Sequence, residues 1–264
     1  MSSTRSKELF FAIPGGTIHA KQWSPEDLRY NVPVVLLHDS LGSVDLWRDF
    51  PGKLAGRLCR TVFAYDRLGF GKSSARDALP GEAFVWEEAD RYFPYIKQAL
   101  SLDRYILFGH SVGGAMSIAI AASRTGCSAV ITEAAQAFVE DVTVSGIQNA
   151  RKSFRDPDQI KRIEKWHGTK AQWVLRSWTE VWLSPEFASW SLEQCIGKVR
   201  CPLLAIHGDK DEFGSLAFPE FISKKAGGES EMVILENCGH VPHRERPRDV
   251  MNHVASFLDR HNID

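Results

Sequence analysis

Five residues, Gly109-His110-Ser111-Val112-Gly113, constrain the fold of this chain more than any other stretch. They follow the apolar run at residues 105–108 and precede a helical pattern at residues 114–123. A G-x-S-x-G sequence between a strand and a helix places its serine on a tight turn with the hydroxyl exposed. A side chain at either flanking glycine would collide with the neighbouring strand or helix. The pattern therefore predicts that Ser111 is a nucleophile that follows a buried strand.

A serine hydroxyl is scarcely ionised at neutral pH, so such a nucleophile needs a general base and a carboxylate that orients the base. Two strand-like stretches supply both groups. Residues 202–207 lead into a loop that contains Asp211, and residues 232–235 lead into a loop that ends at His240. Parallel sheets place their ligands just past strand ends. Asp211 and His240 are therefore the candidate acid and base for Ser111.

Four motifs resemble those of the α/β-hydrolase superfamily, in the same order and over nearly the whole chain. They are His38-Asp39-Ser40-Leu41-Gly42 for the H-G-x-x-G loop, Asp66-Arg67-Leu68-Gly69-Phe70-Gly71-Lys72-Ser73 for the D-x-R-G-x-G-x-S turn, Gly208 to Asp211 for G-x-x-D, and Gly239-His240 for the terminal G-H. The resemblance implies an α/β fold: a mostly parallel eight-stranded sheet with helices on both faces and a small helical cap inserted after strand 6. It implies a core of residues 1–137 and 197–264 and a cap of residues 138–196. The fold hosts many chemistries, so the motifs do not name a substrate.

The resemblance also implies an oxyanion hole formed by the backbone N–H groups of Val112 and Ser40. Asp39 departs from the family pattern, which usually has glycine at this position. The hole needs only a backbone donor, so an aspartate is tolerated there. Its negative charge would oppose the developing oxyanion unless the carboxylate points away or is paired.

Three other residues compete for the acid and base roles. Glu133 ends the predicted sixth strand, where some members of the superfamily place their catalytic carboxylate, and Asp209 lies two residues before Asp211. His243 follows His240 by three residues. The G-x-x-D and G-H placements favour Asp211 and His240.

Local patterns predict the remaining elements. Residues 9–13 and 17–23, separated by Pro14-Gly15-Gly16, indicate a hairpin. Residues 34–38 are apolar without alternation, which is typical of a strand buried on both faces, and residues 61–65 and 129–133 give further strands. Residues 46–58, 84–100 and 248–259 have helical spacing, and Pro94 predicts a kink in the second of these helices.

The segment between about residues 138 and 196 has no strand signal and holds five of the eight tryptophans. Any single tryptophan there is better explained by packing of the cap on the core, but together they predict that one or two face an apolar substrate pocket. The candidates for that pocket are Trp166, Trp173, Trp178 and Trp182. A basic cluster between Arg151 and Lys165 is interleaved with acidic residues and indicates a solvated helix face.

Composition limits the class of protein. The 264 residues include 32 Lys plus Arg against 33 Asp plus Glu, so no bulk field attracts nucleic acid or an anionic membrane. No apolar run approaches the roughly 18 residues that span a bilayer, and Met1 to Lys7 has no following signal-peptide stretch. Five cysteines without close pairing favour reduced thiols and a cytoplasmic location. We expect a monomer or homodimer.

These features predict a serine hydrolase of the carboxylesterase type that needs no cofactor and no metal, because the histidines lack metal-ligand spacing. Its substrate would be a small, mainly apolar ester or related acyl compound. Three alternatives use the same triad: a carbon–carbon bond hydrolase for ring-cleavage products, a lactonase and a perhydrolase. A fourth, from another class, is a receptor that keeps the triad and binds a small molecule under the cap.

Overall fold

A computed structural model describes residues 4–264, which form one eight-stranded sheet. The strand order is β1-β2-β4-β3-β5-β6-β7-β8, and β1, β2 and β4 pair antiparallel while all other neighbours are parallel. This topology confirms the predicted fold class. Residues 1–3 of the predicted core lie outside the described residues. The strands are β1 (Thr4–Ile13), β2 (Gly16–Pro25), β3 (Tyr30–Leu37), β4 (Arg60–Tyr65), β5 (Tyr105–His110), β6 (Cys127–Glu133), β7 (Leu203–Gly208) and β8 (Ser230–Leu235).

Helices cover both faces of the sheet. The helices of the chain are α1 (Phe50–Leu58), α2 (Phe84–Glu87), α3 (Phe93–Ala99), α4 (Val112–Ser123), α5 (Asp141–Ser153), α6 (Pro157–His167), α7 (Ala171–Trp182), α8 (Ala217–Lys225), α9 (Pro242–Glu245) and α10 (Pro247–Arg260). Alternate residues of β3 contribute to different apolar clusters: Val35 and Leu37 pack with α3, α4 and α8, whereas Val34 and Leu36 pack with α1 and α10. The central strands are therefore apolar without alternation because both faces are buried.

The first hairpin is longer than its apolar pattern. Its pairing runs from Thr4 opposite Pro25 to Ile13 opposite Gly16, whereas only residues 9–13 and 17–23 have a strand-like sequence. Most side chains of the first half of β1 are exposed. Backbone hydrogen bonds to β2, and not burial, extend the strand, so the hydrophobic pattern carries no signal for it.

The long helix predicted at residues 84–100 contains an irregular turn. A π turn at Glu88–Tyr92 separates α2 from α3, and the N–H of Phe93 donates to the carbonyl of Glu88. Pro94 follows immediately and has no N–H for an α-helical bond. The irregularity therefore lies just before the proline.

Residues 138–196 hold α5, α6, α7 and several short 3₁₀ turns. The last part of this segment is not separate from the core. Trp182, Phe187 and Trp190 belong to the same apolar cluster as Met116 of α4. No helix within residues 4–264 combines the length and the apolar character needed to cross a membrane.

Candidate active site

Ser111 lies on the turn between β5 and α4 with φ 57° and ψ −127°, a backbone conformation that is strained for a residue with a side chain. The flanking glycines allow the turn to form. A Cβ at Gly109 would lie 2.1 Å from the carbonyl oxygen of Gly113, and a Cβ at Gly113 would lie 2.2 Å from that of Leu37. The N–H of Ser111 donates to the carbonyl of Glu133 at 2.8 Å. The nucleophile candidate is thus fixed by β3 and β6 as well as by its own turn.

His240 reaches both Ser111 and Asp211. Its Nε2 lies 3.0 Å from the Ser111 hydroxyl, and its Nδ1 lies 2.8 and 2.9 Å from the two carboxylate oxygens of Asp211. The loops after β5, β7 and β8 bring the three residues together at one edge of the sheet. Asp211 also accepts a hydrogen bond from the N–H of Phe213 at 2.8 Å. This bond holds the carboxylate toward the imidazole.

The electrostatics of the pair favour an ionised carboxylate and a basic imidazole. Burial lowers the pKa of His240, but its hydrogen bond to Asp211 and the negative charges of Asp211, Asp39 and Glu212 outweigh burial and raise the pKa above its ordinary value. Burial raises the pKa of Asp211, but His240 and the N–H of Phe213 bring the net pKa below its ordinary value. The two side chains therefore stabilise each other's charged forms.

Gln136 is a site residue that the sequence analysis missed. Its side chain is 5% exposed, and its Oε1 lies 3.2 Å from the Ser111 hydroxyl. The hydroxyl can donate to Gln136 or to His240, but not to both at once. Gln136 follows β6 by three residues and belongs to no motif, so only the position after a predicted strand end hinted at a site role.

Three hydrogen bonds to the backbone carbonyl of Asp39 hold the loop after β3. That oxygen accepts hydrogen bonds from Arg67 Nη2 at 2.8 Å, His38 Nδ1 at 2.8 Å and the N–H of Gly42 at 3.2 Å. Burial, together with the charge of Arg67, lowers the pKa of His38 to about 3, so this imidazole is neutral. Within residues 4–264 the N–H groups of Ser40 and Val112 donate no hydrogen bond. Both predicted oxyanion donors are thus free for an external acceptor.

The Asp39 carboxylate is half-buried and accepts no hydrogen bond from the described part of the chain. Burial raises its pKa, but the histidine rings around it and the Arg244 guanidinium lower the pKa below its ordinary value. The group is therefore ionised at neutral pH. The carboxylate is not paired with any described residue. Its Oδ1 lies 2.0 Å from the point where a Cβ of Gly42 would be, and Asp39 also lines a space that it shares with His110, His243 and Arg244.

A second carboxylate–imidazole pair lies beneath the first. Glu133, the competing acid, accepts a hydrogen bond from His243 Nδ1 at 2.6 Å and not from His240. His110 Nε2 donates to the carbonyl of His240 at 2.7 Å, and burial lowers the pKa of His110 to about 4. His110, Glu133 and His243 offer ligand atoms within 4.8 Å of one another, the spacing of a metal site. His110 Nε2 and His243 Nδ1 are engaged in hydrogen bonds, so we interpret the group as a buried hydrogen-bond network.

A cavity of about 160 Å³ opens onto Ser111. Trp178 and Trp182 line it, whereas Trp173 packs edge-on against Phe70 at 5.5 Å and lines a neighbouring cavity of about 30 Å³. Trp166 lies on α6 under the Lys165 ammonium, 4.8 Å from it, and lines neither cavity. The lining of the larger cavity is Asp39, Ser40, Leu41, Ser111, Gln136, Thr143, Ile147, Trp178, Trp182, Glu212, Phe213, His240 and Val241.

Known proteins resemble this chain over most of its length. A family model described as the alpha/beta hydrolase family matches residues 34–253. A proline iminopeptidase of Lactobacillus crispatus is 23% identical over 87% of this chain and 91% of its own length. A putative esterase/lipase of Mycoplasma genitalium is 25% identical over 86% of this chain and 94% of its own. The crystal structure of a bacterial membrane phospholipase A superposes with a TM-score of 0.79 at 21% identity, covering 98% of this chain and 87% of that one.

Proposed function

This chain belongs to the alpha/beta hydrolase family, and from that premise we propose that it is a serine hydrolase that cleaves small, mainly apolar carboxylic esters. The observation that carries the proposal is the hydrogen-bonded series from Ser111 through His240 to Asp211, which opens onto a cavity. A hydroxyl, an imidazole and a carboxylate in this order are the parts of nucleophilic acyl transfer.

In the proposed reaction, the Ser111 hydroxyl attacks the ester carbonyl while His240 Nε2 accepts its proton. Asp211 holds His240 Nδ1–H and stabilises the imidazolium that forms. The N–H groups of Val112 and Ser40 donate to the oxygen that becomes negative. His240 then gives the proton to the leaving alcohol, and an acyl-enzyme forms on Ser111. A water molecule, activated by His240, hydrolyses the acyl-enzyme and restores the hydroxyl.

The acyl group would lie against the buried apolar end of the cavity. Ile147, Trp182 and the inner face of Trp178 supply large apolar area there. An apolar wall contributes binding energy in proportion to the area it covers. Esters whose apolar part fills that end of the cavity are therefore the proposed substrates.

Labelling of the nucleophile tests the proposal. A fluorophosphonate probe should modify the wild-type protein at Ser111, and Ser111→Ala should abolish labelling and lower turnover by about 10⁴- to 10⁶-fold. Ser123→Ala, at the far end of α4, is the matched control and should keep both. If Ser111→Ala is still labelled, or still turns over esters, the assignment is wrong.

Amide cleavage is the second candidate function, because the alignment with the proline iminopeptidase covers 91% of that enzyme's length. A panel of short esters, a vinylogous diketone, a lactone and prolyl p-nitroanilide separates ester, carbon–carbon, lactone and amide cleavage. Ligand-dependent thermal stabilisation with very slow turnover of the whole panel would instead indicate a receptor.

We also infer a cytoplasmic location, because all five cysteines are free in the structure. To check this inference, the protein is extracted without reductant and unfolded, and its thiols are titrated. Five reactive thiols per chain support it, whereas a native disulfide contradicts it.

A further inference from the structure

The cavity that opens onto Ser111 is lined by two acidic residues that the proposed ester hydrolysis does not use, the half-buried Asp39 and the exposed Glu212. Asp39 belongs to the loop after β3, and Glu212 follows the candidate acid Asp211. Neither carboxylate forms a hydrogen bond or an ion pair within residues 4–264. The lining includes no lysine and no arginine. Lys210 pairs with Asp209 at 3.5 Å, and Arg244 donates to the carbonyl of Leu46 at 2.6 Å and lies outside the lining, although its charge still acts on Asp39.

Aromatic rings form the other part of the same lining. Trp178 and Phe213 meet at 5.8 Å between ring centroids, Phe213 meets the His240 ring at 4.9 Å, and Trp182 lies next to them in the cavity wall. The face of an aromatic ring attracts a cation through its quadrupole, and tryptophan does so best. Aromatic faces together with unpaired carboxylates are the combination that binds organic cations and rejects organic anions.

The amide nitrogen of Gln136 is a further group in the cavity without a hydrogen-bond partner among the described residues. The residue is 5% exposed, it lines the cavity beside Ser111, and its Nε2 donates no hydrogen bond within the described residues. This amide nitrogen is accessible from the cavity, so a ligand or water can supply its acceptor. A carbonyl or ester oxygen of a bound molecule would satisfy it.

We propose that the natural substrate carries a positively charged nitrogen group, which lies between the Asp39 and Glu212 carboxylates and the Trp178 and Phe213 rings. This inference rests on the proposed ester hydrolysis and names its substrate class: small esters or related acyl compounds that bear an ammonium group. It also resolves the unfavourable position of Asp39. A substrate cation beside that carboxylate offsets its repulsion of the developing oxyanion, so the charge penalty falls only on substrates that lack the cation.

The test uses two matched pairs of esters that differ in charge and not in shape. In the first pair the cation is in the alcohol: butyrylcholine against its neutral isostere 3,3-dimethylbutyl butanoate. In the second it is in the acyl group: ethyl 4-aminobutanoate against ethyl pentanoate. Binding of all four is measured by tryptophan fluorescence on the Ser111→Ala protein, which does not turn them over, and kcat/KM is measured on the wild type. The pairs show which end of the substrate carries the nitrogen.

The cationic member of at least one pair should bind about tenfold more tightly than its neutral partner, a difference of ~1.4 kcal/mol. Glu212→Gln in the Ser111→Ala background should lower that ratio at least about threefold, because half of the carboxylate charge is removed. Glu236→Gln, which removes an exposed carboxylate outside the cavity, should leave the ratio unchanged.

The outcomes separate the inference from the proposed function. If neutral esters are cleaved but both pairs bind equally, or no cation binds measurably, the cation inference is wrong and ester hydrolysis stands. If the cationic members bind selectively but the wild type cleaves no ester and Ser111 is not labelled, the proposed function fails and the cation site stands. If Glu236→Gln lowers the preference for the cationic ester as much as Glu212→Gln does, the preference comes from general surface charge. That result would overturn the proposed cation site.

Discussion

Two buried carboxylate–imidazole pairs lie next to each other at one edge of the sheet. In the first, His240 contacts Asp211 at 2.8 Å and Ser111 at 3.0 Å, and it borders the cavity. In the second, His243 contacts Glu133 at 2.6 Å but borders a smaller space of about 40 Å³ that Trp47 and His110 also line. The His110 ring separates the pairs, 5.1 Å from His240 and 5.0 Å from His243. Burial and hydrogen bonding alone therefore do not identify a catalytic pair.

The difference lies in what each imidazole can reach. The second nitrogen of His240 points at a hydroxyl on a strained turn, so a proton can move between them. The Glu133–His243 pair instead ties the end of β6 to α9, the helix just after His240. The backbone carbonyl of Glu133 also holds the N–H of Ser111 at 2.8 Å. The first pair is placed for proton transfer and the second for holding the loops that carry it.

An amide in place of each of the two carboxylates, Asp211→Asn and Glu133→Gln, should separate these roles most strongly. Asp211→Asn keeps the shape but removes the charge that stabilises the His240 cation, and it should lower kcat by about 10³- to 10⁴-fold with the fold retained. Steady-state kinetics on a neutral ester, with circular dichroism as the check on folding, measures this effect.

Glu133→Gln is the paired variant, and it should lower kcat by no more than about tenfold. Its main effect should be on stability, because disrupting a buried hydrogen bond and leaving a partner unsatisfied costs about 1–3 kcal/mol of unfolding free energy. Denaturant unfolding measures that cost. If Glu133→Gln loses more activity than Asp211→Asn at equal folding, the acid belongs to β6 and the roles of the two pairs are exchanged.

The pH dependence of kcat/KM should show whether the charge of Asp39 acts on His240. If His240 is the general base, as we propose, it can accept a proton only when it is unprotonated, so kcat/KM should fall tenfold per pH unit below the raised pKa of His240. The negative charge of Asp39 contributes to that raised value, so Asp39→Asn should move the acidic limb of the profile to lower pH. Glu236→Gln should leave the limb in place. A limb that Asp39→Asn does not move would mean that this carboxylate is screened from His240.

The sequence predicted the groups that follow strict local rules and missed those that depend on tertiary contacts. The Ser111 turn is readable because glycine is needed at 109 and 113, where a Cβ would strike backbone atoms. The strand ends before Asp211 and His240 are readable because both strands are short apolar runs. Gln136 carries no such mark, since its position beside Ser111 results from how the chain leaves β6. The pairing of Glu133 with His243 depends on a contact across 110 positions in the chain, which no local pattern records.

Among the four candidate tryptophans, only Trp178 and Trp182 line the cavity at Ser111, whereas Trp166 lies outside it on α6. If the proposed acyl pocket is correct, Trp178→Ala or Trp182→Ala should shift the preferred acyl chain to bulkier groups. Each added methylene contributes at most ~0.8 kcal/mol, or about fourfold in kcat/KM, until the space is full. A series of p-nitrophenyl esters from acetate to decanoate measures the shift, and the pH profile set by His240 should not move with it.

Trp166→Ala serves as the matched control and should leave the chain-length optimum unchanged. A shift in Trp166→Ala equal to that in the two cavity variants would show that loosening the helical segment, and not the shape of the pocket, controls chain length. No shift in Trp178→Ala or Trp182→Ala would place the acyl group elsewhere than against α7.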